Sequence, residues 1–171
     1  MTVIRYGPPM TRFADGPVVE VSVSIDAPVE VVWDLVTDIN IAARFQDEFQ
    51  EADWLDEGPA LGARFVGRNR MGDRTWETTS TIVAFQPGAL FRWAVDDIDN
   101  PVATWTFELI PEEHGTRLIF HRVVGPGRSG LTWAIKQDPD HEEEIIARRD
   151  AQHRTHMQAV LNGIKELSES G

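Results

Sequence analysis

Residues 25–34 read IDAPVEVVWD, and the change of pattern within this stretch decides the fold. Before it, apolar residues alternate strictly with polar ones: Val19, Val21, Val23 and Ile25. A period of two is typical of a strand with one buried face. After Asp26-Ala27-Pro28, which can cap a helix and begin its first turn, apolar residues recur every three or four positions: Val29, Val32, Trp33 and Val36. The stretch predicts a strand followed at once by an amphipathic helix from about Pro28 to Asp38.

The middle of the chain has the pattern of several short strands, after a short helical stretch around Ile41 to Gln46. Turn-forming residues separate these strands: Gly58-Pro59, Gly72-Asp73, Pro87-Gly88, Asn100-Pro101 and His114-Gly115. Alternation within the strands assigns one largely aromatic face to Phe65, Gly67, Asn69, Trp76, Thr78, Ser80, Ile82, Ala84, Phe91, Trp93, Val95, Trp105, Phe107 and Leu109. The opposite face is charged and hydroxylic. An antiparallel sheet of about six such strands is wet on one side and needs an apolar cover on the other.

The end of the chain predicts that cover. Asp138-Pro139-Asp140 can cap a helix, and Glu142, Glu143 and Glu144 then fall in its first turn, where the helix dipole favours anions. Apolar-stripe positions follow at steps of three, four or seven: Ile146, His153, Met157, Val160, Ile164 and Leu167. A helix of about 28 residues would be ~42 Å long, enough to lie across a small sheet.

Composition places the chain among globular proteins of one domain. It has 171 residues, of which 42% are hydrophobic and 26% charged. Residues 1–17 hold several Pro and Gly and no periodicity, so we expect an irregular arm before a single domain over residues 18–171.

With 16 Lys+Arg against 28 Asp+Glu, the net charge is −12. Such a charge repels nucleic acid and anionic membrane surfaces, so neither is an expected partner.

The absence of several motifs limits the chemistry. There is no cysteine, which removes disulfides, thiolate nucleophiles and Cys-ligated metals. No apolar run approaches the ~20 residues that cross a bilayer, so no membrane insertion and a cytoplasmic location are expected. Residues 125–130 read GPGRSG and fit GxGxxG, but the sequence after them is helical and offers no second strand. We interpret them as a turn and expect no cofactor.

The order of elements, together with residues 25–34 and the following Asp38, resembles the START-like superfamily, also called SRPBCC. Within it, the chain is most similar to the bacterial polyketide cyclase/dehydrase-like branch. Two further segments carry that similarity: Gly62-Ala63-Arg64-Phe65-Val66-Gly67-Arg68-Asn69 and Gly115-Thr116-Arg117-Leu118. The resemblance extends from about Val18 to Glu169.

The resemblance implies an α+β helix-grip fold. Its antiparallel sheet of about seven strands curls around a long C-terminal helix, with two short helices after the first strand. It also implies a cavity between sheet and helix for an apolar or aromatic ligand. Lipid-transfer domains, pollen allergens, aromatase/cyclases and chaperone activators share this superfamily. Where relatives carry a proline-tryptophan stretch, this chain has Ala43-Arg44-Phe45-Gln46, so the resemblance does not fix the edge of the pocket near Phe45.

Aromatic side chains on the predicted inner face are the candidate ligand-binding surface, because they are large and rigid. We assign to it Phe65, Trp76, Thr78, Ser80, Phe91, Trp93, Trp105 and Phe107. The alternative is that the aromatics only fill the core against the helix. The two hydroxyls need a ligand, a water or a neighbouring strand as partner.

The last strand adds a candidate charge to this face. If Arg117 faces water, Arg122 points inward; a single bulge would exchange it for His121. A buried guanidinium needs a partner, so Arg122 either binds a ligand carboxylate or carbonyl or pairs with Asp150 of the terminal helix. Of the two, we favour the pair with Asp150.

His153 lies on the apolar stripe of the terminal helix, three residues after Asp150 and four before Met157. It can act as a general acid or base on a substrate, with Arg122 as the second catalytic candidate. The alternative is a core histidine satisfied by Asp150 or a backbone carbonyl. Asp150, His153 and His156 turn progressively around the helix without a closing ligand, so no metal site is predicted. Arg122, Asp150, His153 and Met157 complete the candidate ligand-binding set.

Three functions compete on these observations. The first is a binding protein for a hydrophobic, aromatic, polyketide-like or lipid-like small molecule. The second is a cyclase- or dehydratase-type enzyme that uses His153 and Arg122 in a dry cavity. The third is a protein-interaction module of the chaperone-activator kind. The sequence does not identify the ligand or the oligomeric state.

Overall fold

A computed structural model describes residues 11–171. Most of the predicted N-terminal arm lies outside this range. Within the described part, a short 3-10 helix spans Phe13–Asp15, and Pro17 is buried just before the first strand. No helix among the described residues is both long and apolar enough to cross a membrane.

In the described part of the chain, seven antiparallel strands form one sheet, in the spatial order β1-β7-β6-β5-β4-β3-β2. The strands are β1 (Val18–Ile25), β2 (Phe49–Trp54), β3 (Arg64–Met71), β4 (Arg74–Gln86), β5 (Leu90–Val95), β6 (Ala103–Glu112) and β7 (Gly115–Val124). Every consecutive pair from β2 to β7 is a hairpin, and β1 joins the open side of β7. This arrangement explains why the strand in front of residues 25–34 can pair with the last strand of the chain.

Within residues 11–171, three α-helices accompany the sheet. They are α1 (Val29–Val36), α2 (Gly130–Gln137) and α3 (Glu142–Glu169), with short 3-10 helices at Ile41–Arg44 and Pro139–His141. The α3 helix has 28 residues, and its first turn carries the three glutamates, as predicted. The GPGRSG segment is a turn that leads into α2, where Ser129 Oγ accepts a hydrogen bond from the Thr132 amide. The helix-grip fold expected from the sequence is confirmed.

The α3 helix covers the inner face of the sheet unevenly. Its backbone lies close to β1 at one edge and to the 3-10 helix Ile41–Arg44, which adjoins β2 at the other edge. The side chains it buries completely or nearly so are Ile146, Met157, Val160, Leu161 and Ile164. Each contributes roughly 1.5–3 kcal/mol through removal from water. The central strands lie farther from α3, and aromatic side chains occupy the space between them.

One register prediction is wrong. Strict alternation along β4 placed Ala84 on the inner face, but the pairing of β4 with β5 shifts between Ile82 and Ala84. This bulge leaves Val83 exposed and turns Phe85 inward, where its ring centroid lies 5.6 Å from that of Trp33. A bulge adds one residue to a strand and therefore reverses the faces beyond it.

Phe45 packs directly on the backbone of α3. A Cβ atom at Gly163 would lie 2.4 Å from Phe45 Cδ1, so only glycine permits this approach. Glycine inside a helix costs about 1 kcal/mol relative to alanine. That cost is offset by the packing that holds the Ile41–Arg44 segment against α3. This packing defines the edge of the pocket that the family resemblance did not predict.

Candidate functional site

An inner cavity of about 160 Å³ lies between α3, the Ile41–Arg44 segment and the inner face of β2 to β7. Its walls are mainly apolar and aromatic: Val36, Ile39, Ile41, Phe49, Phe65, Phe91, Trp93, Trp105, Phe107, Phe120, Met157 and Val160. A smaller set of polar residues also lines it: Asp38, Gln46, Glu48, Asn69, Thr78, Ser80, His153 and His156. An apolar protein cavity of roughly 150 Å³ can hold a benzene molecule. The inner cavity therefore has room for one aromatic ring.

Cross-strand pairing explains the aromatic wall. Trp93 of β5 lies opposite Trp105 of β6, and their rings stack with centroids 6.4 Å apart and planes 11° apart. The neighbouring row along the strands places Phe91 opposite Phe107, and Phe107 opposite Phe120. Phe107 and Phe120 meet edge to face with centroids 4.1 Å apart. Such contacts each add about 0.5–1.5 kcal/mol beyond buried area, so the wall is rigid.

Nine of the twelve predicted ligand-binding residues line the inner cavity. They are Phe65, Thr78, Ser80, Phe91, Trp93, Trp105, Phe107, His153 and Met157. Ser80 and Phe65 face each other across β4 and β3, so the small serine leaves space beside the phenylalanine. Trp76, Arg122 and Asp150 do not line it.

Of the three tryptophans predicted on this face, Trp93 and Trp105 line the inner cavity, and Trp76 does not. Trp76 does lie on the same face of the sheet, but β4 has 13 residues and β5 only six. Trp76 therefore falls beyond the end of β5, opposite Asn69 of β3, and lines a separate surface groove beside α2. Alternation along a strand predicts which face of the sheet a residue lies on. It does not predict how far along the strand direction that residue lies relative to the neighbouring strands.

Arg122 points inward, as predicted, and is completely buried. One of its nitrogens, Nη2, donates to Asp150 Oδ1 at 2.7 Å and to the Pro17 carbonyl at 3.1 Å. The other, Nη1, donates to His153 Nδ1 at 2.8 Å. The predicted pair with Asp150 is thus present, and both terminal nitrogens of the guanidinium are held by protein groups. Nε is buried without a partner among the described residues.

These contacts set the charge states of the cluster. Burial lowers the pKa of Arg122, and the hydrogen bond to Asp150 opposes that shift. Guanidinium groups stay protonated in proteins, so Arg122 remains the donor in each bond. Burial, with smaller contributions from Arg149, Arg122 and His156, lowers the pKa of His153 well below its ordinary value of 6.5. Because its Nδ1 accepts from Arg122, a neutral His153 carries its proton on Nε2.

His153 stands between the inner cavity and the groove that contains Trp76. Its ring lines both, and its centroid lies 5.2 Å from that of Trp105 in an edge-to-face contact. Neutral imidazole with Nε2–H can donate a hydrogen bond to a ligand oxygen. With its pKa well below 6.5, it holds no second proton near neutral pH.

Sequence reasoning missed the polar edge of the cavity. Gln46 organises this edge, because its Oε1 accepts from the amides of Glu48 and Phe49 at 2.8 and 2.9 Å. Glu48 in turn receives two hydrogen bonds from Arg149 of α3, at 2.7 and 2.8 Å. Asn69 was on the predicted inner face and could have been named as a candidate ligand-binding residue. The Glu48–Arg149 pair joins residues about a hundred positions apart, and no local pattern indicates it.

No metal site is evident in the part of the chain that the structure describes. Across residues 11–171, no group of three or more His, Cys, Asp or Glu side chains is arranged to hold an ion. Asp150 and His153, which the sequence placed near His156, each use one atom, Oδ1 and Nδ1 respectively, to accept a hydrogen bond from Arg122.

Solved structures of known proteins share this architecture. A polyketide cyclase-like protein of Corynebacterium glutamicum, determined in solution by NMR, is 32% identical, with a TM-score of 0.64 over 86% of this chain and 88% of that one. The di-domain ARO/CYC StfQ of the steffimycin biosynthetic pathway is 13% identical, with a TM-score of 0.71 over 90% of this chain and 50% of its own. A Thermus thermophilus protein is 16% identical, with a TM-score of 0.61 over 90% and 98%.

The two lower identities show the fold alone, and this chain spans half the length of StfQ. No curated protein matches the chain at a significant level. The model of one protein family, however, matches residues 17–165, which is nearly all of the chain. With the 32% identical relative, this match assigns the family. The chain belongs to the polyketide cyclase/dehydrase and lipid transport family.

Proposed function

We propose that the protein binds a hydrophobic small molecule by enclosing an aromatic ring of it in the inner cavity. The observation that carries this proposal is the cavity itself, an apolar space of about 160 Å³ walled by Phe65, Phe91, Trp93, Trp105 and Phe107. Ligand sites are concave, largely apolar and furnished with a few polar groups that orient the ligand. Thr78, Ser80 and the Nε2–H of His153 are the groups of this kind.

The size of the cavity defines what part of a ligand it encloses. Pockets for drug-sized ligands are about 300–1,000 Å³, so 160 Å³ holds one ring and leaves the remainder outside. Gln46, Glu48, Phe49 and His156 line both the inner cavity and a surface depression, so the two spaces adjoin there. Thr78 and His153 line both the cavity and the groove beside α2, so these two spaces adjoin as well, and the remainder of a ligand would extend toward one of the two.

Binding without chemistry is favoured over cyclase or dehydratase activity. Arg122 was the candidate to polarise a substrate carbonyl, but its terminal nitrogens donate to Asp150, His153 and Pro17. His153 accepts from Arg122 through Nδ1, and its low pKa leaves it without an acidic proton near neutral pH. A general acid or base works best when its pKa is near the operating pH.

Filling the cavity tests the proposal. Ser80 is 2% exposed and lines the cavity, so Ser80→Leu places a bulky side chain in the ring site. Thr79→Leu adds a similar bulk on the opposite face of the same strand and is the matched control. The probe is 2-naphthol, of which one ring fits the cavity while the fused second ring extends beyond it. With titration calorimetry as readout, we expect wild type and Thr79→Leu to bind alike and Ser80→Leu to bind at least tenfold more weakly.

Equal affinity of all three proteins for 2-naphthol would overturn the proposal, as would wild-type protein that does not bind the probe. Thermal melting checks that Ser80→Leu is folded. If it is not, Thr78→Leu blocks the cavity from the neighbouring position on β4 and must give the same loss of affinity.

A further inference from the structure

An arginine groove of about 640 Å³ lies between the β3–β4 hairpin, the ends of β6 and β7, and the helices α2 and α3. We define it by Arg74, Arg128 and Arg148, which line it together with Trp76. All three arginines are exposed. The groove adjoins the inner cavity, since Thr78 and His153 line both.

The charge of the arginine groove opposes that of the whole molecule. The chain carries a net charge of −12 and has an excess of carboxylates. Even so, none of the three arginines forms an ion pair with a carboxylate of residues 11–171. Arginines left together without acids repel one another and favour an anion between them.

The other charged residues that line the groove are already engaged. Arg122 pairs with Asp150, and Arg149 pairs with Glu48. Of the two acids, Glu77 lies 3.3 Å from Arg68. The second acid, Asp96, accepts a hydrogen bond from the Thr79 amide at 3.0 Å and has no ion-pair partner among residues 11–171. The three unpaired guanidinium groups of Arg74, Arg128 and Arg148 outnumber this one unpaired carboxylate, so the groove keeps a net positive charge.

Arg74 is held in position. Its guanidinium carbon lies 5.1 Å from the centroid of the Trp76 ring, within the range of a cation–π contact. Its nitrogens also lie against the first residue of α2, because a Cβ atom at Gly130 would be 2.8 Å from Nη1 and Nη2. Two surfaces thus orient a side chain that would otherwise be mobile. A guanidinium fixed this way presents its N–H groups to planar or tetrahedral oxyanions.

The start of α2 adds to the positive potential. Helix N-termini carry a partial positive charge that acidic side chains usually balance. The first turn of α2 has no acidic residue, and Arg74 and Arg128 lie beside it instead. Cations at this end of a helix are unfavourable unless an anion joins them.

We propose that the arginine groove binds the carboxylate or phosphate group of the ligand whose aromatic ring enters the inner cavity. This inference rests on the proposed function and specifies the ligand class: an aromatic anion that passes between Thr78 and His153. The ring is enclosed by apolar walls, and the anionic group meets Arg74, Arg128 and Arg148. The Nε2–H of His153 lies at the junction and can donate to an oxygen between the two parts.

Two probes with the same ring system separate the parts of this ligand. We would measure the affinities of 2-naphthol and 2-naphthyl phosphate by titration calorimetry for wild-type protein. The variant is Arg74→Gln with Arg148→Gln. The control is Arg117→Gln with Lys136→Gln, which removes the same charge from exposed positions outside the groove. Wild type and control should bind the phosphate at least tenfold more tightly than the naphthol, and this preference should weaken in high salt.

In the groove variant, which keeps Arg128, the affinity for 2-naphthyl phosphate should fall at least fivefold, while 2-naphthol binds as in wild type. A wild-type protein that binds both probes equally overturns the inference and leaves the proposed function standing. A preference that the Arg74→Gln and Arg148→Gln changes leave undiminished overturns it as well. If the phosphate binds and 2-naphthol does not, the proposed function fails, and with it the joint ligand.

Discussion

Arg122 and Asp150 form an ion pair with 2.7 Å between Nη2 and Oδ1, and it links β7 to α3 beside the inner cavity. Arg122 is completely buried, whereas the Asp150 side chain keeps 24% of its surface exposed. Removal of a buried charge from water is costly, and the pair recovers that cost only while both charges are present. We therefore expect this ion pair to contribute mainly to the stability of the fold beside the inner cavity, and less to ligand binding.

The first prediction concerns this pair. Asp150→Asn keeps an oxygen that can accept from Arg122 but leaves the buried guanidinium without a counter-charge. We expect the free energy of unfolding to fall by about 2–4 kcal/mol, toward the lower side of the range for buried pairs because Asp150 is partly exposed. Urea denaturation measures this loss. Glu166→Gln, at an exposed position of the same helix, is the control, and a loss no larger than that of the control would contradict the account.

The second prediction concerns pH. His153 is surrounded by Arg122, Arg149, His156 and Asp150, and its folded-state pKa is lowered well below 6.5. Below pH 6.5 the unfolded chain takes up a proton at His153 that the folded protein does not. The contribution of His153 to the free energy of unfolding is therefore complete above pH 6.5. It is lost as the pH falls toward the folded-state pKa, by up to about 1.4 kcal/mol per pH unit.

Urea denaturation at pH 7.5 and 5.5 tests this sign. Wild-type protein should lose more stability between these values than His153→Gln, which has no proton to gain at this position. His141 gives a contrast, because the hydrogen bond to Asp138 raises its pKa on the surface. His141→Gln should change the pH dependence in the opposite direction. Parallel pH profiles for wild type and His153→Gln would show that His153 is not buried in its neutral form.

The third prediction concerns Gly163 and Phe45. Alanine in place of a helical glycine normally stabilises a protein by about 1 kcal/mol. Here the added Cβ would lie 2.4 Å from Phe45 Cδ1, so we expect Gly163→Ala to destabilise by about 1–3 kcal/mol through overpacking. In a Phe45→Ala background the same change should stabilise. Thermal and urea denaturation of the four proteins form the cycle, and an equal effect of Gly163→Ala in both backgrounds would refute the contact.

The fourth prediction separates a binding protein from an enzyme. His153→Gln keeps a side chain that can donate and accept hydrogen bonds but removes the imidazole. For a binding protein, the affinity for 2-naphthol should change by less than about tenfold. The measurement is titration calorimetry, with mass spectrometry of any ligand that co-purifies. Chemical conversion of that ligand by wild type, slowed about a hundredfold or more by His153→Gln, would establish catalysis instead.

Much of the fold follows from local patterns. The alternation before residue 26 and the three- and four-residue spacing after it identify β1 and α1, and the apolar stripe from Ile146 identifies α3. The same reasoning turned Arg122 inward, because a strand with Arg117 in water must bury Arg122. Its partner Asp150 lies three residues before His153 on α3, so the helical spacing alone predicted that Asp150 would lie near Arg122.

The remaining features depend on geometry that alternation does not contain. The bulge at Val83 reverses the faces of β4, so Phe85 replaced Ala84 on the inner side. The unequal lengths of β4 and β5 moved Trp76 from the cavity to the arginine groove. The cavity exists because α3 lies near the edges of the sheet and farther from its centre, and the sequence of any one element does not encode that spacing.

The most direct test of the central claim is the position of a bound ring. Isotope-filtered NMR of the labelled protein with unlabelled 2-naphthol measures which side chains lie within about 5 Å of the probe. The account predicts nuclear Overhauser effects from the naphthol ring to Trp93, Trp105 and Met157, which wall the inner cavity. Effects confined to Trp133, which is 64% exposed on α2, would place the probe on the surface and contradict the claim.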